Sequence, residues 1–134
     1  MADRSLLDRA LVARVPVSDR LATRDTGWHF WIDVALWPER EGTFWWSDEL
    51  GAIVVGELVD GGLRVYDVIA PALPDVSEIA ACFGVSSLEL YLTPDRLSSE
   101  SGSSKPCPLE DVMMVRGALP GLAQPFALSP LCRC

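Results

Sequence analysis

The stretch that decides the fold is residues 51–70, GAIVVGELVDGGLRVYDVIA. Its centre, Asp60-Gly61-Gly62, predicts the tight turn of a β-hairpin, because glycine readily adopts the positive φ angles that such turns require. The apolar run before the turn, 50–59, predicts a central strand that is covered on both faces. The run after it, 63–70, predicts a partner strand whose side chains alternate between faces. On that pattern one face carries Leu63, Val65, Asp67 and Ile69, and the other carries Arg64, Tyr66, Val68 and Ala70.

Two aromatic segments before the hairpin predict further strands. Residues 28–37, WHFWIDVALW, and residues 43–47, TFWWS, are rich in aromatic and branched side chains, which favour strands. Residues 38–42, PEREG, are typical of a turn between them. These segments extend the hairpin into a sheet whose strands run largely antiparallel.

A helix and a crossover are predicted after the hairpin. Residues 75–84 predict a short helix with Asp75 as N-cap, Glu78 three residues later and Gly84 after the last turn. Residues 87–92, SLELYL, alternate apolar and polar side chains. We therefore predict a strand that follows a crossover helix and runs parallel to an earlier strand.

The two ends complete a single domain over residues 1–134. Residues 1–15 place leucine and alanine at helical spacing and predict an N-terminal helix. The serine-rich residues 98–108 predict a flexible surface loop, residues 111–117 a last strand, and residues 118–134 an irregular, proline-broken tail. The order of elements predicts an α+β fold, a mixed and mostly antiparallel sheet with flanking helices.

Charge and composition narrow the possible partners. The chain has 11 basic and 19 acidic residues, a formal net charge of −8. Its N-terminal arginines are interleaved with aspartates, so there is no basic patch and we predict no nucleic-acid binding. No apolar run reaches the roughly 20 residues needed to cross a bilayer, and the charged N-terminus lacks the apolar core of a signal peptide. We therefore predict no membrane partner and a cytoplasmic location.

The chain has four cysteines, and three of them are possible metal ligands. Cys82 lies in an apolar helical run, where we predict a buried, small hydrophobic side chain. Cys107, Cys132 and Cys134 could together bind a soft metal, but they lack the paired chelating spacings that metal sites usually show. We predict no metal site, and tail cysteines that oxidise in vitro.

Five segments of the chain together resemble one known family. They are PVSDRLATRDTGWHFWIDVALW, WWSDELGAIVVGEL, GLRVYDVIAP, LELYLTPDRL and EDVMMVRGALPGLAQPFALSP, and they cover most of residues 15–131. Their order is similar to the C-terminal half of certain bacterial GNAT-family N-acetyltransferases, in which a second lobe of GNAT-like topology follows an N-terminal catalytic lobe. The resemblance implies a GNAT-like (acyl-CoA N-acyltransferase-like) fold for the chain.

The resemblance also indicates where a coenzyme would bind. In the family, a glycine-rich loop after the fourth strand holds the acetyl-CoA pyrophosphate with backbone N–H groups at a helix N-terminus. The matching junction here, 65–84, has no glycine before its helix and contains Pro71 and Pro74, which lack N–H donors. The resemblance therefore implies a second lobe without its catalytic partner and without a cofactor. Acetyl-CoA bound in an atypical manner is the alternative.

One face of the strand predicted over 28–37 is the main candidate surface. His29 and Asp33 share this face but lie roughly 13 Å apart at ordinary strand rise, too far for a direct His–carboxylate pair. Its aromatic residues, with those of the next strand, would line a groove for a planar ligand or for another lobe. The alternative is that helices cover this face as the second half of the core. The surface comprises Trp31, Asp33, Trp37, Trp45, Trp46 and Tyr66.

Polar residues within and beside the hairpin are weaker candidates. We expect Asp67, beside Tyr66, to be solvated or to cap a strand end rather than to form a buried pair. Glu57 ends an apolar run, where we expect it to be exposed, and it would act as a base only if it were buried. Arg116, in the last predicted strand, could pair with one of these carboxylates.

Three functional hypotheses follow. The first is a non-catalytic GNAT-like binding or assembly domain that self-associates or docks a separate catalytic lobe, because a missing lobe leaves strand edges and apolar patches to be covered. The second is a small acyl-CoA-dependent N-acetyltransferase with atypical coenzyme binding, in which Glu57 or His29 accepts a proton from an amine. The third is an acidic protein that masks a basic partner.

Overall fold

The computed structural model of the chain describes residues 4–20, 44–97 and 103. The strands predicted over 28–37 and 111–117 and the tail over 118–134 lie outside the described residues, as does the loop over 98–108 apart from Ser103. The elements in chain order are α1 (Arg4–Ala13), β1 (Phe44–Ser47), β2 (Ala52–Val59), β3 (Gly62–Ile69), α2 (Val76–Phe83) and β4 (Leu88–Leu90).

The four strands form one sheet in the order β1-β2-β3-β4. β2 pairs antiparallel with both β1 and β3, whereas β4 pairs parallel with β3 after a crossover through α2. The predicted α+β class, with a mixed and mostly antiparallel sheet, is confirmed for these residues, and so is the parallel strand after the crossover. Within the described ranges no helix is both long enough and apolar enough to traverse a bilayer.

The turn between β2 and β3 contains two residues. Asp60 has a φ of 51° and Gly61 a φ of 78°, and the flanking Val59 and Gly62 pair across the hairpin. Positive φ at both central positions is the pattern of a type I′ turn, whose twist matches that of the flanking strands. The predicted tight turn is confirmed.

A β-bulge interrupts the β2–β3 ladder. Val55 of β2 pairs with Asp67 of β3. The next residue of β2, Gly56, pairs with Val65, which leaves Tyr66 without a pairing partner on β2. The predicted strict alternation of faces along this strand is therefore wrong beyond Tyr66, because one extra residue moves every later side chain to the opposite face.

The bulge determines which β3 side chains enter each of two cores. Leu63 and Val65, before the bulge, share a core under α2 with Val68 and Ala70, which follow it. Helix α1 packs on the other face of the sheet. The largest fully buried residues of the α2 core are Leu63, Ile79, Val54, Val65 and Val68. The buried residues of the α1 core are Leu7, Leu11, Ile53, Val55 and Ile69.

Local sequence signals define both ends of α2. The Asp75 backbone N–H donates to Glu78 Oε2 over 2.8 Å, and the two residues form a capping box. Gly84 follows the last turn in the left-handed conformation, with a φ of 63°, and its N–H donates to the Ala81 carbonyl oxygen. The predicted N-cap and terminal glycine are both confirmed.

Candidate functional site

A buried ion pair joins the end of α1 to the centre of the sheet. Arg14 Nη2 lies 3.0 Å from Asp67 Oδ1 and 3.2 Å from Oδ2, and the side chains are only 5% and 3% exposed. The Val68 backbone N–H also donates to Asp67 Oδ1, over 2.8 Å. The expectation of a solvated or capping Asp67 is therefore wrong, because the bulge turns this side chain towards α1. Arg116, the partner considered from the sequence, lies outside the described residues.

The surroundings of Asp67 have two opposing effects on the pKa of its carboxyl. Burial raises the pKa of the Asp67 carboxyl above its ordinary value, because the charged form loses its hydration. The positive charge of Arg14 and the hydrogen bond from Val68 lower that pKa but do not cancel the effect of burial. The pair is therefore a structural contact with a desolvated carboxylate, closed to substrate by its burial.

The segment after α1 is held by further contacts. The Val15 N–H donates to the Ala70 carbonyl oxygen over 2.9 Å, which extends the attachment beyond the ion pair. The Asp19 N–H donates to Asp95 Oδ2 over 2.9 Å, and Arg96 Nη1 donates to the Pro16 carbonyl oxygen over 3.0 Å. The N-terminal segment is thus tied both to the end of β3 and to the turn that follows β4.

The carboxyl of Asp95 is stabilised in its charged form by this attachment. Burial acts to raise its pKa, but hydrogen bonds from the Ser18 side chain and the Asp19 backbone lower the pKa of Asp95 below its ordinary value. The turn after β4 therefore binds the N-terminal segment most strongly when Asp95 is ionised.

A second polar group, the tyrosine–glutamate cluster, contains side chains of β2, β3 and β4 and of the residue after β4. Its members are Glu57, Arg64, Tyr66, Glu89 and Tyr91. Tyr66 Oη donates to Glu57 Oε1 over 2.5 Å, and Arg64 Nη1 lies 3.4 Å from the same oxygen. Arg64 Nε lies 3.3 Å from Glu89 Oε2, to which Tyr91 Oη also donates over 3.3 Å. The two tyrosine rings meet edge-on, with centroids 5.6 Å apart. The cluster is part-exposed, in contrast to the buried ion pair.

The surroundings of Tyr66 and Arg64 raise the pKa of both side chains. Burial, together with the hydrogen bond to Glu57 and the charge of that carboxylate, raises the pKa of Tyr66 to about 12. The pKa of Arg64 is raised by the electrostatic effect of Tyr91 and by hydrogen bonds to Glu57 and Glu89. At neutral pH, Tyr66 is therefore a hydrogen-bond donor and Arg64 a cation.

Glu57, the candidate base, lies within β2 rather than at its end. It pairs across the sheet with Arg64, and its side chain is 42% exposed. One carboxylate oxygen, Oε1, already accepts hydrogen bonds from two side chains. The other candidate base, His29, lies outside the described residues.

Trp45 and Trp46 do not share a face. They are consecutive on β1, so their side chains point to opposite sides of the sheet. Trp45 packs edge-on against Phe83 of α2, with centroids 5.9 Å apart, and its indole N–H donates to the Gly56 carbonyl oxygen. Trp46 Nε1 instead donates to Asp48 Oδ1 over 2.9 Å. One groove therefore cannot be lined by both indoles.

The rest of the predicted aromatic surface is only partly placed. Tyr66 belongs to the α1 side of the sheet, in the tyrosine–glutamate cluster. Trp31, Asp33 and Trp37 lie outside the described residues. The groove expected between these residues and β1 stays a prediction.

Cys82 is exposed, so its predicted burial is wrong. Its Sγ lies 3.3 Å from Ser47 Oγ at the end of β1. The apolar side chain that α2 buries fully is Ile79, whereas Cys82, three residues later, lies on the flank of the helix. Among residues 4–20, 44–97 and 103, no group of three His, Cys, Asp or Glu side chains could hold a metal ion.

The start of α2 is the place at which the family resemblance would put a coenzyme phosphate. Here the capping box fills it: the Asp75 side chain accepts a hydrogen bond from the helix backbone, and Glu78 accepts the Asp75 N–H. Two carboxylates thus occupy the end of the helix whose partial positive charge would otherwise attract an anion. A phosphate at this position would meet like charge and fewer free N–H donors.

From the sequence, Glu57, Tyr66 and Asp67 were named singly, but Glu57 and Asp67 were not matched to their arginine partners, Arg64 and Arg14. One signal was available for the ion pair: Asp67 is a charged residue inside an apolar strand, and Arg14 follows an amphipathic helix directly. The comparisons do not assign the chain to a family, because no known family model, curated protein or solved structure matches it.

Proposed function

We propose that the chain is a non-catalytic, GNAT-like binding and assembly lobe that self-associates or docks a separate catalytic acetyltransferase lobe. The observation that supports this most is the start of α2. Its Asp75–Glu78 capping box places carboxylates where the family's coenzyme phosphate would lie. Pro71 and Pro74, just before the helix, remove further backbone donors.

The topology of the sheet also supports the proposal. An antiparallel hairpin is followed by a helix and a strand that returns parallel to the hairpin's second strand. That order, with the coenzyme loop between the hairpin and the helix, is what the family resemblance implies. The scaffold of such a lobe is therefore compatible with the described elements, whereas the phosphate loop is not.

Partly exposed apolar side chains offer contacts for a partner on both faces of the sheet. Trp46, on the α1 face, is 42% exposed, and Leu58, on the α2 face, is 52% exposed. Large aromatic side chains bury extensive area when a partner covers them and are enriched at the energetic centres of interfaces.

A second candidate function is a small acyl-CoA-dependent N-acetyltransferase. The observation that favours it is the part-exposed Glu57 carboxylate in contact with the Tyr66 hydroxyl, an arrangement that could accept and relay a proton. An amine substrate would have to compete with Tyr66 and Arg64 for Glu57 Oε1, or use the other carboxylate oxygen.

Size-exclusion chromatography with light scattering tests the two functions together. The full chain is run under reducing conditions over a range of concentrations, with and without millimolar acetyl-CoA. A stable assembly that the coenzyme does not change supports the binding lobe. A monomer at every concentration that is stabilised against heat by acetyl-CoA contradicts it and favours the acetyltransferase, because a ligand that binds only the folded state raises its stability.

A further inference from the structure

We infer that the exposed indole of Trp46 is a docking point for a basic protein surface, one that presents arginine or lysine side chains, rather than for a second copy of this chain. The inference rests on the proposed function, because it names the kind of partner that the binding lobe takes. It starts from the different environments of the two β1 tryptophans.

Trp45 is engaged within the fold. Its ring packs on Phe83, and its N–H donates to the Gly56 carbonyl oxygen at the bulge. Trp46 projects to the other face, 42% exposed, and its N–H is taken by Asp48 Oδ1. What Trp46 offers to a partner is therefore its apolar ring rather than a hydrogen-bond donor.

The charges around the ring favour a cation. The Asp48 carboxylate is held against the indole N–H, and Glu49 follows it in the same turn. The face of a tryptophan ring attracts cations more strongly than that of any other side chain, and guanidinium groups stack on it readily. A lysine or arginine that approached Trp46 would meet the ring and a carboxylate together.

The charge of the sheet disfavours a second copy as this partner. Residues 44–97 contain nine acidic residues and two basic ones, and residues 4–20 add two acidic and four basic ones, so the described residues are acidic overall. Both basic residues of 44–97 are already paired with carboxylates: Arg64 with Glu57 and Glu89, and Arg96 with Asp19. Two copies would also bring together chains that each carry a net charge of −8. A basic surface is complementary to this charge.

Binding of a cationic partner is tested with two peptides of opposite charge. A hexa-arginine peptide and a matched hexa-glutamate peptide are titrated into the full chain by isothermal titration calorimetry. Binding of the arginine peptide alone is expected. Trp46→Ala should weaken it about two- to thirty-fold, the range for a cation on an aromatic face from exposed to desolvated.

Matched variants separate the indole from general charge attraction. Val12→Ala truncates an apolar side chain on α1 that is 80% exposed, and it should leave arginine-peptide binding unchanged. Trp46→Phe keeps an aromatic ring with a weaker attraction for cations, and its affinity should lie between those of the parent and Trp46→Ala. Circular dichroism establishes that each variant is folded.

Three outcomes would overturn the inference. They are an arginine peptide that does not bind, a Trp46→Ala variant that binds it as tightly as the parent chain, and self-association in light scattering that is lost in Trp46→Ala. The last result would leave the proposed binding lobe standing with a different partner. Stabilisation by acetyl-CoA, in contrast, would count against the proposed function itself.

Discussion

Removal of either member of the Arg14–Asp67 pair should destabilise the fold strongly, whereas removal of both should cost much less. Arg14→Met leaves a buried carboxylate without its cation, and Asp67→Asn leaves a buried guanidinium without its anion. With both side chains at most 5% exposed, each single variant should lose about 3–5 kcal/mol of unfolding free energy. For a domain of this size that is roughly 12–20 °C in Tm.

The double variant isolates the interaction. In Arg14→Met/Asp67→Asn no charge of the pair remains, and the amide oxygen that replaces the carboxylate can still accept the Val68 N–H. The cost should therefore fall to about 1–3 kcal/mol, from one unsatisfied amide group. Urea unfolding followed by circular dichroism gives all four free energies. Arg9→Met, an exposed arginine on the same helix, is the control and should change stability by less than about 0.5 kcal/mol.

The pH dependence gives a second readout of the same pair. Burial raises the pKa of Asp67 in the folded state. The stability that the protonated Asp67 carboxyl contributes is therefore fully present below its pKa in the unfolded chain, about 3.9, and is lost as the pH rises through its pKa in the folded state. Without Arg14 to lower that pKa, the loss should be larger, and the defect of Arg14→Met should shrink in acid. Additive costs in the double variant, with a defect independent of pH, would refute a coupled buried pair.

Three further predictions concern the bulge, the α2 core and the tyrosine–glutamate cluster. Gly56→Ala should cost about 3 kcal/mol or more in urea unfolding, because the new methyl would lie 2.2 Å from a backbone carbonyl oxygen; wild-type stability would contradict the close approach. Ile79→Ala should lower the free energy of unfolding by about 2–5 kcal/mol, whereas Cys82→Ala, on the exposed flank of the same helix, should lower it by less than about 1 kcal/mol. Equal losses would contradict the assigned helix face. Tyr66 and Tyr91 are the chain's two tyrosines, so Tyr66 is the only tyrosine of the Tyr91→Phe variant. The tyrosinate absorbance of that variant should rise near pH 12. A titration midpoint near pH 10 would contradict the burial of Tyr66 against Glu57. Because this folded pKa lies above the unfolded value, Tyr66 should also destabilise the fold as the pH rises above about 10.

The elements with strong local signals were predictable from sequence. The type I′ turn at Asp60-Gly61 requires positive φ, which glycine and aspartate tolerate, and the α2 capping box depends on residues three positions apart. The parallel return of β4 followed from the length of the crossover. Each of these depends on residues that are close together in the chain.

The misplaced residues depend on contacts between distant segments. The bulge opposite Gly56 leaves an unbroken alternating pattern in the sequence, yet it moves Asp67 to the α1 side and Val68 to the α2 core. The partner of Asp67, Arg14, lies 53 residues away, so no local pattern could pair them. The tyrosine–glutamate cluster likewise forms only when β2, β3 and β4 meet.

The most direct test of the central claim, a GNAT-like binding lobe without coenzyme chemistry, is a calorimetric titration of acetyl-CoA into the full chain at millimolar concentration. No saturable heat of binding is expected, because carboxylates of the Asp75–Glu78 capping box occupy the start of α2. Saturable binding at one site per chain would contradict it and return Glu57 to consideration as a catalytic base.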